Sequence, residues 1–131
     1  LIGFDSKSNS IVELANGVPK TLFQLKEEIY GLSLDVYGKN VLTSFSSMEG
    51  EGQLLLNGKP IVNKPYSEIK FFNEDYAFLN TGETLELIQT TTKRIEFLDY
   101  IVYNLSVTKN ALYYSSDTGD IKKIEIRKAT K

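Results

Sequence analysis

The sequence predicts a mainly β fold: an antiparallel meander of hairpins, forming either a partial β-propeller-like set of sheets or a small open barrel. Three observations lead there. Short apolar or alternating runs recur between clusters of Gly, Asn, Asp and Ser, the grammar of strands and turns. β-Branched and aromatic residues concentrate in those runs. Hairpin tips near Ser8, Gly50, Gly82 and Gly119 return at loose but similar intervals, as propeller blades produce. With 41% apolar residues, a chain of 131 supplies one core, so residues 1–131 are expected to form a single β-rich domain.

Along the chain, "LIGF", the polar "DSKSNS" and "IVEL" read as strand, turn and strand. The segment "PKTLFQLKEEIYGLSLDVYG" is ambiguous. Leu22, Leu25, Ile29 and Leu32 recur at helical spacing, Thr21 and Gln24 stand in capping-box register and Gly31 is placed as a stop, which predicts a short helix from about Leu22 to Tyr30. The alternative is a pair of strands, "TLFQL" and "IYGLSLDVY". After the turn residues "YGKN", "VLTSF" and "QLLL" flank the turn-like "SSMEGEG" as a second hairpin. Asn57-Gly58 closes a third, because a type I′ turn needs positive φ at both central residues and Asn-Gly adopts it most readily. Pro60 and Pro65 lack amide donors, so "KPIVNKP" is expected at a sheet edge or leaving the sheet early.

The second half repeats the pattern. "YAFLNTGETLELI" and "ALYYSSDTGDIKKIEI" each read as strand, Thr-Gly-acid turn, strand. Between them "KRIEFLDYIVYNLSV" reads as two strands broken near Asp99. Tyr113 and Tyr114 are consecutive, so one must face away from the core of a one-sided strand. Phe71 and Phe72 pose the same alternative.

Residues 52 to 82, "GQLLLNGKPIVNKPYSEIKFFNEDYAFLNTG", resemble a WG-repeat unit of the β-propeller-like type. The likeness lies in a short strand, the Asn57-Gly58-Lys59 turn, an apolar pair, the Pro65-Tyr66 step with Ile69 after it, and an acidic turn before the next strand. The Trp-Gly pair is absent, with Gly52-Gln53 where a Gly-aromatic element would stand. The resemblance implies a blade-like fold and transfers no functional residue.

Composition excludes much chemistry. No Cys is present, which removes disulfides, thiolate nucleophiles and sulfur-ligated zinc. The absence of His removes the commonest general base. Paired acids at Glu27-Glu28, Glu49/Glu51, Glu74-Asp75 and Asp117/Asp120 fit turns and solvated faces better than a facing catalytic pair. "DTGD" at 117–120 is similar to the Asp-Thr-Gly turn of aspartic proteases, but Ser115-Ser116 precede it where apolar flanks are needed and Asp120 follows where a hydroxyl is needed. A hairpin turn accounts for it. We therefore expect no enzyme, no metal and no cofactor. No apolar run approaches the roughly 20 residues of a membrane helix, and "LIGFDSKSNS" lacks the basic start of a signal peptide, so a soluble cytoplasmic setting without a membrane partner is expected.

Charge is uneven. Residues 41–90 hold Lys59, Lys64 and Lys70 against seven acids, whereas 91–131 hold eight bases against five. A net charge of −2 and the lack of a basic strip interleaved with aromatics argue against nucleic acid. The expectation is a protein-binding module, most concretely a small acidic bacterial immunity-like protein that neutralises a basic toxin by covering it. Its contact residues are placed at Glu49, Glu51, Glu74 and Asp75, with Tyr66 and Tyr76 beside them. A carbohydrate-binding or cell-surface β domain using exposed Tyr side chains is the alternative.

Overall fold

A computed structural model describes residues 1–25, 29–49, 51–100 and 102–125. Chain packing divides it into two compact units, Leu1–Pro65 and Tyr66–Lys131. Every described element is a β-strand, and every sheet is an antiparallel meander with neighbours in sequence order.

The first unit holds a three-stranded sheet, β1 (Ile2–Asp5), β2 (Ser10–Ala15) and β3 (Val18–Gln24), and a four-stranded sheet, β4 (Gly31–Tyr37), β5 (Asn40–Ser46), β6 (Gly52–Leu56) and β7 (Lys59–Val62). Two Asn-Gly pairs drive its hairpins. Asn57 and Gly58 take φ of 52° and 86°, and Asn16 and Gly17 take 55° and 76°, so both central residues of each turn are left-handed as a type I′ turn requires. Asn57 also fixes the neighbouring hairpin, its Oδ1 accepting the Val41 amide at 2.8 Å and its Nδ2 donating to Asn40 Oδ1 at 3.2 Å. As its prolines predict, β7 is an edge strand and ends at Val62.

The helix expected from Leu22 to Tyr30 does not form over its described residues; 26–28 lie outside the description. The alternative pair of strands is realised as β3 and β4: Asn16-Gly17 turns the chain back, pairing Ile11 with Phe23 and Val12 with Thr21 along β3. The apolar spacing that suggested a helix has another use. Leu22 faces solvent, while Leu25 is buried with Phe45 and Leu55, and Phe4, Phe23, Ile29 and Leu32 pack around them as one core cluster of this unit. Along β5, Val41 through Phe45 are all buried, the unbroken pattern of a strand covered on both faces.

The second unit holds β8 (Glu68–Phe71), β9 (Tyr76–Asn80), β10 (Thr84–Gln89) and β11 (Ile95–Tyr100) in one sheet, with β12 (Val102–Val107), β13 (Ala111–Ser116) and β14 (Ile121–Glu125) in another. Phe78, Leu85, Val102, Leu105, Leu112 and Tyr114 form the core joining these two sheets. Fully burying each such side chain contributes about 1.5–3 kcal/mol. Asn80 adds a polar tie, donating from Nδ2 to the Val102 carbonyl at 3.1 Å while its Oδ1 accepts the Gly82 amide at 2.9 Å. Tyr114 is the inward member of its pair and Tyr113 the outward one; Phe71 is buried and Phe72 half-buried. The "DTGD" segment closes β13 to β14 as a turn, with Gly119 at φ 89° and the Ser116 amide donating to the Asp120 carbonyl at 2.8 Å.

Four sheets with this up-and-down connectivity bear out the mainly β meander. None of the described sheets closes into a barrel.

Candidate protein-contact surface

The six residues singled out from sequence separate into different surroundings. Glu49 and Glu51 are exposed around the turn between β5 and β6 in the first unit. Glu74 and Asp75 are exposed in the bend between β8 and β9 in the second. That bend is fastened at both ends. Asn73 Oδ1 accepts the amides of Asp75 at 2.8 Å and Tyr76 at 3.0 Å, while Thr90 donates its hydroxyl to the Glu74 carbonyl at 2.9 Å and its amide to the Asp75 carbonyl at 2.8 Å. The two acids thus project from a held backbone, which lowers the ordering cost of binding through them. Tyr76 is half-buried on β9 opposite Gln89.

Tyr66 is not a surface contact. Only 4% exposed, it donates its hydroxyl to Glu86 Oε1 at 3.0 Å, and Thr84 donates to the other carboxyl oxygen at 3.2 Å. Burial, then the adjacent Glu86, push the Tyr66 hydroxyl far above the usual phenol value and keep it a donor. Glu86, 8% exposed, is thereby provided for inside the sheet, as a buried acid must be.

Sequence reasoning missed the feature that most resembles a contact surface. β11 is an edge strand, paired on one side with β10, and three large apolar side chains on it remain open: Ile95 at 40%, Phe97 at 50% and Tyr100 at 69% exposure. Residues three apart in a regular strand face opposite sides. Here the register slips between Leu85 and Glu86, so that Glu86 pairs with Phe97 but Leu85 pairs with Asp99, leaving Leu98 as the extra residue of a bulge. The slip resets the alternation. Phe97 and Tyr100 come to one face with ring centroids 4.7 Å apart and planes tilted at 58°.

The bulge also turns Asp99 to the opposite face, toward the core side. Tyr114 donates to Asp99 Oδ2 at 2.7 Å, Lys122 Nζ lies 3.1 Å from the same oxygen, and the Tyr100 amide donates to Oδ1 at 2.8 Å. The Tyr114 hydroxyl above all, then the Tyr100 amide and Lys122, hold the Asp99 carboxyl below the usual range. Burial and Asp99 together push Tyr114 up to about 12. One bulge therefore anchors β11 inward through Asp99 and presents an aromatic pair outward. The signal was present in "RIEFLDY", where Ile95, Phe97 and Leu98 break strict alternation before Asp99. The two strands expected to break near Asp99 are present, with β11 ending at Tyr100 and β12 beginning at Val102.

No protein-family model and no curated protein matches the chain. Among solved structures it is similar to two computationally designed proteins. Ika8 matches with a TM-score of 0.61 and 14% identity over 95% of this chain and 44% of that one. Ika4 matches with a TM-score of 0.56 and 14% identity over 96% of this chain and 89% of that one. The chain spans less than half the length of Ika8, and at this identity the likeness shows the fold alone.

Proposed function

We propose that this protein is a non-enzymatic binding module that captures a basic protein partner. The observation that carries the reading is an aromatic edge strand on an acid-rich sheet. Residues 66–100, which build the β8–β11 sheet, hold seven acids against Lys70, Lys93 and Arg94, and the sheet's outer strand exposes Ile95, Phe97 and Tyr100. Aromatic side chains supply contact area and acids steer a basic partner, which together describe a protein interface. The finer reading is an immunity-like protein that neutralises a basic toxin, supported by the small acidic chain and the exposed acids Glu49, Glu51, Glu74 and Asp75.

Binding of the purified chain to immobilised basic proteins, toxin nucleases included, tests both. Association should slow as salt rises, and reversing Glu74 and Asp75 to Lys should weaken it further. Absence of binding to any basic protein, or indifference to the reversals, refutes the reading. A second reading, glycan binding, is favoured by the exposure of Tyr30, Tyr37, Tyr100 and Tyr103. A blank glycan array would dispose of it.

A further inference from the structure

We infer that the partner contributes an extended, lysine- or arginine-bearing segment that adds to the β8–β11 sheet as a fifth strand along β11, an inference that rests on the binding reading above.

The open edge has the required backbone. The Gln89 amide donates to the Arg94 carbonyl at 2.9 Å, so that carbonyl points toward β10. Every described peptide bond is trans, so the next amide, that of Ile95, points the other way. Alternation along an antiparallel strand then aims the amides and carbonyls of Ile95 and Phe97 at the free side. No described strand pairs with that side. A peptide laid there gains main-chain hydrogen bonds, which is the source of affinity in strand addition.

Side chains give the edge its preference. Ile95 lies opposite Ile88, Phe97 opposite Glu86 and Tyr100 opposite Thr84, so the three open apolar groups share one face. An added strand would set its own alternate side chains against them. Charge is graded along the strand: Lys93 and Arg94 stand exposed before its start, whereas exposed Glu83 adjoins the Thr84–Tyr100 pair at its end. A cation carried by the added segment is therefore favoured at the Tyr100 end. There it comes within reach of the Phe97 and Tyr100 ring faces, which attract cations through their quadrupoles, at the end of the sheet that also carries the Glu83 carboxylate. An acidic segment would meet Glu83 and Glu96 instead. Exposed aromatic edges invite indiscriminate pairing, and this charge gradient selects among partners.

The test uses the full chain, a fluorescein-labelled peptide of alternating lysine and valine, its glutamate–valine counterpart, and a basic protein bound by the wild type. The lysine peptide should raise anisotropy on binding and the glutamate peptide should not. Ile95→Pro removes the outward amide while leaving the β10 ladder its donors, and should weaken the lysine peptide about tenfold; Ile95→Ala, which keeps the amide, should stay within about threefold. Glu83→Lys, on an exposed turn where folding is not at issue, should weaken the lysine peptide several-fold and admit the glutamate peptide. If Ile95→Pro and Ile95→Ala bind the peptide equally, strand addition is wrong. A wild type that binds the basic protein, with Ile95→Pro binding it unchanged, overturns strand addition alone. Absence of any basic-protein binding overturns the functional reading itself. A wild-type dimer that Phe97→Ser dissociates would show the edge covered by a second copy and would likewise overturn the proposal.

Discussion

The two Asn-Gly turns of the first unit differ in one contact, which makes them a matched pair for measuring it. Gly17 has φ of 76°, and a Cβ built on it meets nothing within 4 Å among the described residues. Gly58 has φ of 86°, and its Cβ would lie 3.0, 3.1 and 3.2 Å from Cγ, Cβ and Cδ1 of Phe23. Replacing either glycine by alanine incurs the left-handed penalty of about 1–2 kcal/mol, offset by about 0.4–1 kcal/mol from the stiffer unfolded chain. Gly17→Ala should therefore destabilise by about 1 kcal/mol. Carbon contacts are comfortable at roughly 3.5–4 Å, so Gly58→Ala also forces Phe23 to move, and Phe23 packs on the Leu25–Phe45–Leu55 core. Overpacking of this kind adds about 1–3 kcal/mol, bringing Gly58→Ala to about 2–4 kcal/mol. Urea unfolding followed by fluorescence gives both values, and repeating them in a Phe23→Ala background should bring Gly58→Ala down to the level of Gly17→Ala. Equal costs in the wild-type background would show that Phe23 does not press on this turn.

Two further measurements probe buried polar groups. Thr43 is fully buried on β5 and its Oγ1 meets no hydrogen-bond partner among the described residues, so Thr43→Val should stabilise by about 1 kcal/mol in urea unfolding; a loss of stability would mean that the hydroxyl is used. The Asp99–Tyr114 pair makes stability fall at both pH extremes. Tyr114 is raised from 10.0 to about 12, so its contribution is complete below pH 10 and is lost as pH climbs from 10 to 12. Asp99 is lowered, so its contribution is present above the ordinary carboxylate value and is lost as pH falls through its depressed one. Tyr66 adds an alkaline loss of the same sign, so the difference between wild type and Tyr114→Phe isolates Tyr114. Parallel alkaline profiles for the two proteins would refute the assignment.

Local turn chemistry made most of the architecture readable. Asn57-Gly58, Thr81-Gly82 and Thr118-Gly119 lie in the turns the sequence marks, and the strands beside them follow. The helix expectation failed for an instructive reason. Leu22, Leu25, Ile29 and Leu32 satisfy a helical period, but periodicity weighs only their spacing, whereas Asn16-Gly17 commits the preceding chain to a hairpin that consumes Leu22 as an exposed strand residue. Turn chemistry of this specificity outranks a short apolar period. Tyr66 shows the opposite limit. Its partner Glu86 is twenty residues away, and no pattern in the sequence joins them.

The candidate contact surface is the hardest part to read from sequence because it arises from a departure from alternation. A regular β11 would place Phe97 and Tyr100 on opposite faces and aim Asp99 alongside Phe97. Leu98, inserted as a bulge, exchanges those positions at once: the rings converge outward and Asp99 reaches Tyr114 and Lys122 inward. Bulges cluster where a strand must re-aim a side chain. The same residue that blunts the ladder of an otherwise regular meander thus both secures the strand to its core and furnishes an aromatic edge. If that edge serves binding, shortening "FLDY" by deletion of Leu98 should abolish capture of a basic protein even in a chain that still folds.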